Sequence, residues 1–355
     1  MRRIGGIMEK FTQAYDAARA AIITEKKYES AWQTYLDTNI ATILDLAGPN
    51  ATHAAGITKL RGKLKTEAGK LETGNKYQKM ANTIYDACVN SSATTTVPGR
   101  AAALKMMKHL YWAKKSGGQS VWVYSPPKAY TKWVFDEIKG NKRSIVRHLK
   151  KTSEVYTTAQ RKVMCDAVMH AKRATLNAAT KLGTPNRQTR RVFKRWFGDL
   201  SGNARTTAMT SLASSFLSIS NVLGSTTLIL SDEPNDRNTG TNWEDWGFVY
   251  AGAHKERLRV VYVQNAFLKA AGNSGLLWMC VLTLVHELSH YVMNTKDYRY
   301  DNGAAGSLAG TGLKPGGTFT SAKAMNNADN LAYFCVDLMG TLSRSDRIKA
   351  LSGTI

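Results

Sequence analysis

Long apolar runs are missing from this chain of 355 residues. The longest, Leu276 to Val285, is too short to cross a bilayer and runs straight into His286 and Glu287. No apolar stretch follows Arg2 and Arg3 either. Gly5 and Gly6 lead to Glu9 and Lys10, so no secretory signal peptide and no membrane span are expected. Cysteine is scarce. Cys88, Cys165, Cys280 and Cys335 include no C-x-x-C pair, which excludes the usual zinc-finger and thioredoxin spacings, and four are too few for a disulfide scaffold. Reduced, buried thiols are the expectation. No repeat recurs clearly enough to make a solenoid.

Acidic residues are short in one part of the chain only. Residues 1–200 hold 36 Lys+Arg against 14 Asp+Glu, a net of +22, whereas residues 201–355 hold 13 against 12. The two parts therefore meet different electrostatic demands. With 43% hydrophobic residues there is ample material for a core, and the length admits two domains.

Periodicity places helices first. Apolar residues such as Phe11, Tyr15, Ala18 and Ile22 recur at spacings of three and four from Met8 to Leu46. Similar stretches run from Ile57 to Cys88, Ala101 to Ala113 and Ala129 to Lys151, after a short β-like run at Ser120 to Tyr124. Thr157 to Leu182, Arg187 to Phe197 and Ala204 to Val222 read as three more. Beyond Gly224 the texture turns β-branched and aromatic, at Thr226 to Leu230, Trp246 to Tyr250 and Leu258 to Val263, which predicts a small sheet. An apolar helix over Ser274 to Met293 and a final helix over Ala322 to Leu342 complete the pattern. The fold class is α+β and mainly helical. A basic helical region, residues 1–150, precedes a second domain, residues 151–355, with the boundary near residue 150.

The apolar helix carries the chemistry. Val285-His286-Glu287-Leu288-Ser289-His290 contains H-E-x-x-H, and residues four apart share a helix face, so both imidazoles can reach one metal ion. Glu287 projects about 100° round from His286, where a general base can take a proton from water. The plainer reading makes the histidines core residues bonded to backbone. It fits poorly with a helix apolar on almost every side, where two His and a Glu would be costly without a partner.

A catalytic zinc site usually has three protein ligands and a water. No Glu follows Glu287 and no His follows His290, which removes the zincins that use a downstream glutamate or a third histidine. Asp297, Asp301, Asp329, Asp337 and Asp346 remain, with Cys335 more distant. Asp297 is the nearest.

Thr295-Lys296-Asp297-Tyr298-Arg299-Tyr300 resembles the T-x-D-x-x-Y element of the aspzincins, the deuterolysin and lysine-specific metalloendopeptidase family, and Asn327-Ala328-Asp329 resembles that family's N-A-D segment. The resemblance runs from about Thr157 through the final helix. It implies a zincin-like endopeptidase domain holding one zinc ion. Asp297 would be the third ligand beside His286 and His290, Glu287 the general base, and Tyr300 the donor to the transition-state oxyanion, a role that suits a phenol near zinc. Asp329 would orient a ligand or line the substrate pocket; otherwise it is a structural acid. Leu258 to Val263, just ahead of the helix, is read as the strand that aligns the substrate by strand addition. The family's Gly before the Thr and after the Tyr are Asn294 and Asp301 here. Asn tolerates the left-handed conformation such a turn needs, whereas Asp301 puts the turn geometry in question. Lysine-specific members carry an acid three residues after the N-A-D aspartate; that position is Ala332, so strict lysine preference is not expected.

The expected partner is therefore a protein or peptide substrate. The basic N-terminal region suits delivery, a pro-region, or contact with an acidic protein or a secretion apparatus, and export without a classical signal is expected, with a cytoplasmic location the alternative. Trp112, Trp122, Trp133 and Trp196 lie among basic residues, but aromatics at helical spacing belong to cores, so nucleic acid is not the expected partner. The rival to a peptidase is a latent or inactive zincin serving as a metal-stabilised binding protein.

Overall fold

The computed structural model describes residues 155–353 except 226–227, 238–242, 253–254, 257–258 and 303–305, and ahead of them residues 122, 123, 125, 128 and 131. The helices expected before residue 151 lie outside the described residues.

Helix α1 (Thr158–Gly183), α2 (Arg187–Phe197) and α3 (Gly202–Leu223) fall within two residues of the positions their periodicity predicts. A reciprocal capping box starts α1: Thr157 Oγ1 accepts from Gln160 N at 3.1 Å, and Gln160 Oε1 accepts from Thr157 N at 2.8 Å. Its inner face is Met164, Ala167, Ala171, Ala174 and Ala178, all buried. Four alanines at steps of three and four make a shallow stripe that lets neighbouring helices approach closely. Helices α3, α5 and α7 take up that space. On α2, Val192, Phe193, Trp196 and Phe197 are buried while Arg187, Arg190, Arg191 and Lys194 stay exposed. Trp196 is thus a core residue, stacked on Tyr333 with ring centroids 5.3 Å apart.

Four strands form one sheet in the order β1-β2-β4-β3: β1 (Trp122–Val123), β2 (Leu228–Ser231), β3 (Gly247–Phe248) and β4 (Arg259–Val263). β1 pairs parallel with β2, β2 parallel with β4, and β3 antiparallel with β4. The parallel centre explains the unbroken apolar run Val260 to Val263, which is buried throughout. The first strand lies ahead of the boundary expected near residue 150. Arg161 Nη1 donates to its Val123 carbonyl at 2.8 Å, and Val155 N donates to Ser125 Oγ at 3.2 Å. One expectation is corrected here. β4 has a neighbour on both sides, so its backbone has no free edge for a substrate strand; among the described residues β1 and β3 are the edge strands.

Beyond the sheet come α4 (Asn265–Ala271), a 3-10 turn at Ser274–Leu276, and α5 (Leu277–Met293). The final helix expected as one piece is two, α6 (Ser321–Met325) and α7 (Ala328–Met339), broken at Asn326 and Asn327. A further helix, α8 (Arg344–Ser352), closes the described chain. Every residue of α7 from Ala328 to Leu338 is buried, and α5 packs along it. Helix α5, which carries His286, Glu287 and His290, is therefore held by a helix buried over eleven successive residues. Among the described residues no helix is long and apolar enough to cross a membrane, and Cys165, Cys280 and Cys335 carry free thiols.

Candidate metal centre

Helix α5 ends at Met293, three residues after His290, the second histidine of the motif. Its C-cap, Asn294, has φ 55° and ψ 39°, and its N–H returns to the His290 carbonyl. Among the described residues it is the one non-glycine with positive φ. Asn enters that region more readily than a branched residue. Asp301 has no positive φ, so the turn after Tyr300 needs no glycine. The reversal at Asn294 brings Thr295 to Tyr300 back beside the helix.

Both histidines are held by their inner nitrogens. Asp329 Oδ1 lies 2.6 Å from His286 Nδ1, and the Thr295 carbonyl lies 2.9 Å from His290 Nδ1. Each acceptor requires a proton on Nδ1 and leaves the Nε2 lone pair facing inward. The hydroxyls agree. Ser289 Oγ donates to the His286 carbonyl at 2.7 Å, so at 2.8 Å from it Thr295 Oγ1 must be the donor. Thr295 Oγ1 is then left as an acceptor, 3.0 Å from His290 Nδ1.

The two Nε2 atoms are 3.1 Å apart, and Asp297 Oδ1 lies 3.3 Å from that of His286 and 3.2 Å from that of His290. A tetrahedral ion with bonds of about 2.0–2.1 Å needs ligand atoms about 3.3 Å apart. Two lone pairs and a carboxylate oxygen meet at that spacing, and Asp297 Oδ1 is buried with no hydrogen-bond partner. His286, His290 and Asp297 are the one group among the described residues able to gather around an ion in this way. Two imidazoles and a carboxylate are a donor set that suits zinc.

The electrostatics match the geometry. Burial works against a charge on His286, yet Asp297 and Asp329 outweigh it and hold the imidazolium well above its ordinary range. Burial likewise opposes ionisation of Asp297, but the two histidines hold it well below the usual carboxylate range. The surrounding carboxylates thus favour positive charge at this point, which a proton or a divalent ion would supply.

Glu287 is buried at 6% exposure, with Oε1 3.9 Å from His286 Nε2. Burial raises its proton affinity, against the pull of both histidines. The Tyr300 ring lies almost parallel to that of His286, at 15° and 6.4 Å between centroids. Burial, and then the charge of Asp297, keep its phenol protonated far above the ordinary tyrosine range. Asp329, buried at 5% exposure, also accepts from Asp301 N at 3.1 Å. The carboxyl groups of the remaining downstream aspartates have other partners. Asp301 accepts from the Tyr333 hydroxyl, Asp346 receives the Ser343 hydroxyl at the start of α8, and Asp337 is gripped by Arg195, Trp196 and Arg347. Cys335 is fully buried in the hydrophobic core. Ser289 and Thr295 were legible only as motif letters. Their hydroxyl relay links residues that the chain reversal at Asn294 brings together.

Residues 306–308 back the metal loop. Ser307 N donates to the Asp297 carbonyl at 2.8 Å and Leu308 N to that of Tyr298 at 3.0 Å. A Cβ on Gly306 would meet the Tyr298 carbonyl carbon at 2.6 Å and Arg299 N at 3.0 Å, both backbone. Gly306→Ala should therefore displace the loop carrying Asp297 and cost about 1–3 kcal/mol, as overpacking does. Urea unfolding of the two proteins measures it; a change under about 0.5 kcal/mol, the size of a neutral surface substitution, would show that the loop yields freely.

Residues 182–336 match the family model of the aspzincins, described as lysine-specific metallo-endopeptidase. The match takes in His286, Glu287, His290, Asp297, Tyr300 and Asp329, and agrees with the resemblance carried by the T-x-D-x-x-Y and N-A-D segments. That family is zinc-dependent and acts on peptide bonds. No curated protein matches the chain.

Proposed function

We propose that this aspzincin region is a working zinc endopeptidase, with His286, His290 and Asp297 holding the ion. One observation carries the reading: three inward-facing ligand atoms 3.1–3.3 Å apart, with a buried carboxylate, Glu287, alongside. Zinc held there would polarise the scissile carbonyl and acidify water. The rest falls to the chain itself. Glu287 takes the proton of the attacking water and passes it to the departing amine. A carboxylate whose proton affinity is raised by burial suits both halves of that transfer. Tyr300 keeps its proton and donates a hydrogen bond to the oxygen that becomes negative. Asp329 and the Thr295 carbonyl fix the tautomers and orientation of the two imidazoles.

An extended substrate can be held alongside β3, an edge strand of the sheet among the described residues. Gly247 brings that strand against the ligand helix, since a Cβ there would lie 3.6 Å from Thr283 Cγ2 on α5. Ala332, the position at which lysine-specific members carry an acid, is uncharged and fully buried.

The test is a mixed peptide library, incubated with zinc-loaded and with chelator-treated protein and read by mass spectrometry. Cleavage only with zinc is the expected result. No cleavage by protein shown to hold stoichiometric zinc would replace this reading with that of a latent enzyme or a metal-stabilised binding protein.

A further inference from the structure

Asn327 occupies a helix N-cap and does not cap the helix. It precedes α7 with extended backbone, φ −103° and ψ 123°, yet its side chain accepts nothing from the first turn. An asparagine there ordinarily accepts from the backbone two or three residues on, which stabilises a helix by about 1 kcal/mol. Here the amide is turned onto the metal loop. Its Oδ1 accepts from Tyr298 N at 2.7 Å and from Arg299 N at 3.1 Å. Its Nδ2 donates to the Arg299 carbonyl at 3.0 Å and to Asn330 Oδ1 at 2.8 Å. Both lone pairs and both N–H groups are used, and no flipped amide could satisfy two N–H donors on one side and two acceptors on the other.

The backbone on either side of Asn327 adds a second grip. Lys296 N donates to the Asn326 carbonyl at 2.9 Å, and Ala328 N to the Lys296 carbonyl at 3.0 Å. The residues flanking Asp297 on both sides are thus fastened to the start of α7. The Asp297 carboxylate also meets the Tyr300 phenol and the two imidazoles, and the clasp sets the backbone from which it reaches them. Two residues beyond Asn327, Asp329 holds His286. Asn330 anchors the clasp from behind, donating to the carbonyls of Trp196 at 2.7 Å and Leu313 at 2.8 Å.

We propose that Asn327 is a positioning residue for the metal centre, setting the Asp297 arm in register with the His286 arm that α7 already holds through Asp329. The break between α6 and α7 follows from this role, because the amide serves the loop and not the helix. The inference rests on His286, His290 and Asp297 being the ligands.

The experiment reads metal and not cleavage. Zinc dissociation constants come from chelator competition, and the visible spectrum of the cobalt(II) form reports the ligand set. Both are measured for wild type, Asn327→Ala, Asn327→Asp and Asp297→Asn, with thermal unfolding of each apoprotein as the check on folding. Asn327→Ala should bind zinc about 10–100-fold more weakly, as removal of a residue supporting a ligand does. Its cobalt spectrum should shift toward that of Asp297→Asn. Asn327→Asp keeps the acceptor for both loop N–H groups but loses both donations, and should fall between wild type and alanine.

A folded Asn327→Ala with wild-type zinc affinity and cobalt spectrum overturns the proposal; if alanine does not fold, the same result for Asn327→Asp overturns it. Wild-type protein that takes up neither metal sinks the ligand assignment itself. Loss of peptide cleavage with metal binding intact would instead tell against the endopeptidase reading alone.

Discussion

Glu287→Gln should keep its metal and lose its cleavage. The substitution leaves size and shape almost unchanged, and Glu287 is not one of the three atoms that converge at 3.1–3.3 Å. Zinc stoichiometry should therefore stay at one, with affinity altered only a few-fold. The amide cannot accept the proton of the attacking water. A positioned general base contributes about 10²–10⁴-fold, so kcat should fall by that much while KM for a cleaved peptide stays near the wild-type value. Stability gives an independent readout. The glutamate is buried and its ionised form is disfavoured there, so a neutral side chain should not lower the melting temperature. Steady-state cleavage of one library-derived peptide, with metal analysis on the same samples, decides the matter. A fall in kcat of less than about tenfold would remove Glu287 from the role of base. Loss of zinc together with activity would mean that it belongs to the ligand set.

Which parts of this site could be read ahead of the structure depended on how local each contact is. His286, Glu287 and His290 share a helix whose apolar neighbours set its length, so their common face follows from the spacing alone. Asp297 stands only a turn away, but five carboxyl groups lay downstream, and the left-handed turn at Asn294 is what selects it. The hydrogen bond between Asp329 and His286 spans 43 residues, so spacing could not show it, and only the resemblance of the N-A-D segment pointed to Asp329. Helices α1 to α3 were legible because their buried faces recur at three and four residues. The break before α7 was not. Ser321 to Leu338 contains neither Gly nor Pro, and the cause lies in hydrogen bonds that Asn327 makes to a loop 28 and 29 residues earlier. Helix α8 was not expected either, although Ser343 caps it by accepting from Asp346 N. Strands were recognisable from β-branched texture, but their order was not. β4 follows β3 in the chain, yet it lies between β2 and β3, because its parallel pairing with β2 is a crossover that composition does not encode.

Asp337→Ala should unfold more of the protein than any substitution at the metal. The Asp337 side chain is 2% exposed and accepts from three donors: Arg195 Nη1, Trp196 Nε1 at 2.8 Å and Arg347 Nη1 at 2.7 Å. These come from α2 and α8, so a single carboxylate on α7 joins three helices. Alanine would leave two guanidinium groups, each about one quarter exposed, and a fully buried indole N–H without their acceptor. Breaking a buried ion pair from one side costs about 3–5 kcal/mol, and the partial exposure of the arginines puts this case near the lower figure. That is a large share of the 5–15 kcal/mol, roughly, that holds a typical domain together. Asp337→Asn retains an oxygen for the indole but no charge for the arginines, and should lose about half as much. The fitting control is Asp199→Ala, which removes an ion pair with Lys194 whose partners are 62% and 65% exposed. That change should cost under about 1 kcal/mol and shrink further in salt. Urea unfolding at low and high ionic strength separates the two cases. Equal losses at Asp337 and Asp199 would show that solvent reaches the clamp and that the helices are joined by their apolar faces alone. A loss of about 3 kcal/mol, insensitive to salt, would mark Asp337 as the tie that fixes Trp196. Through the Trp196 carbonyl and Asn330, that tie reaches the clasp at Asn327.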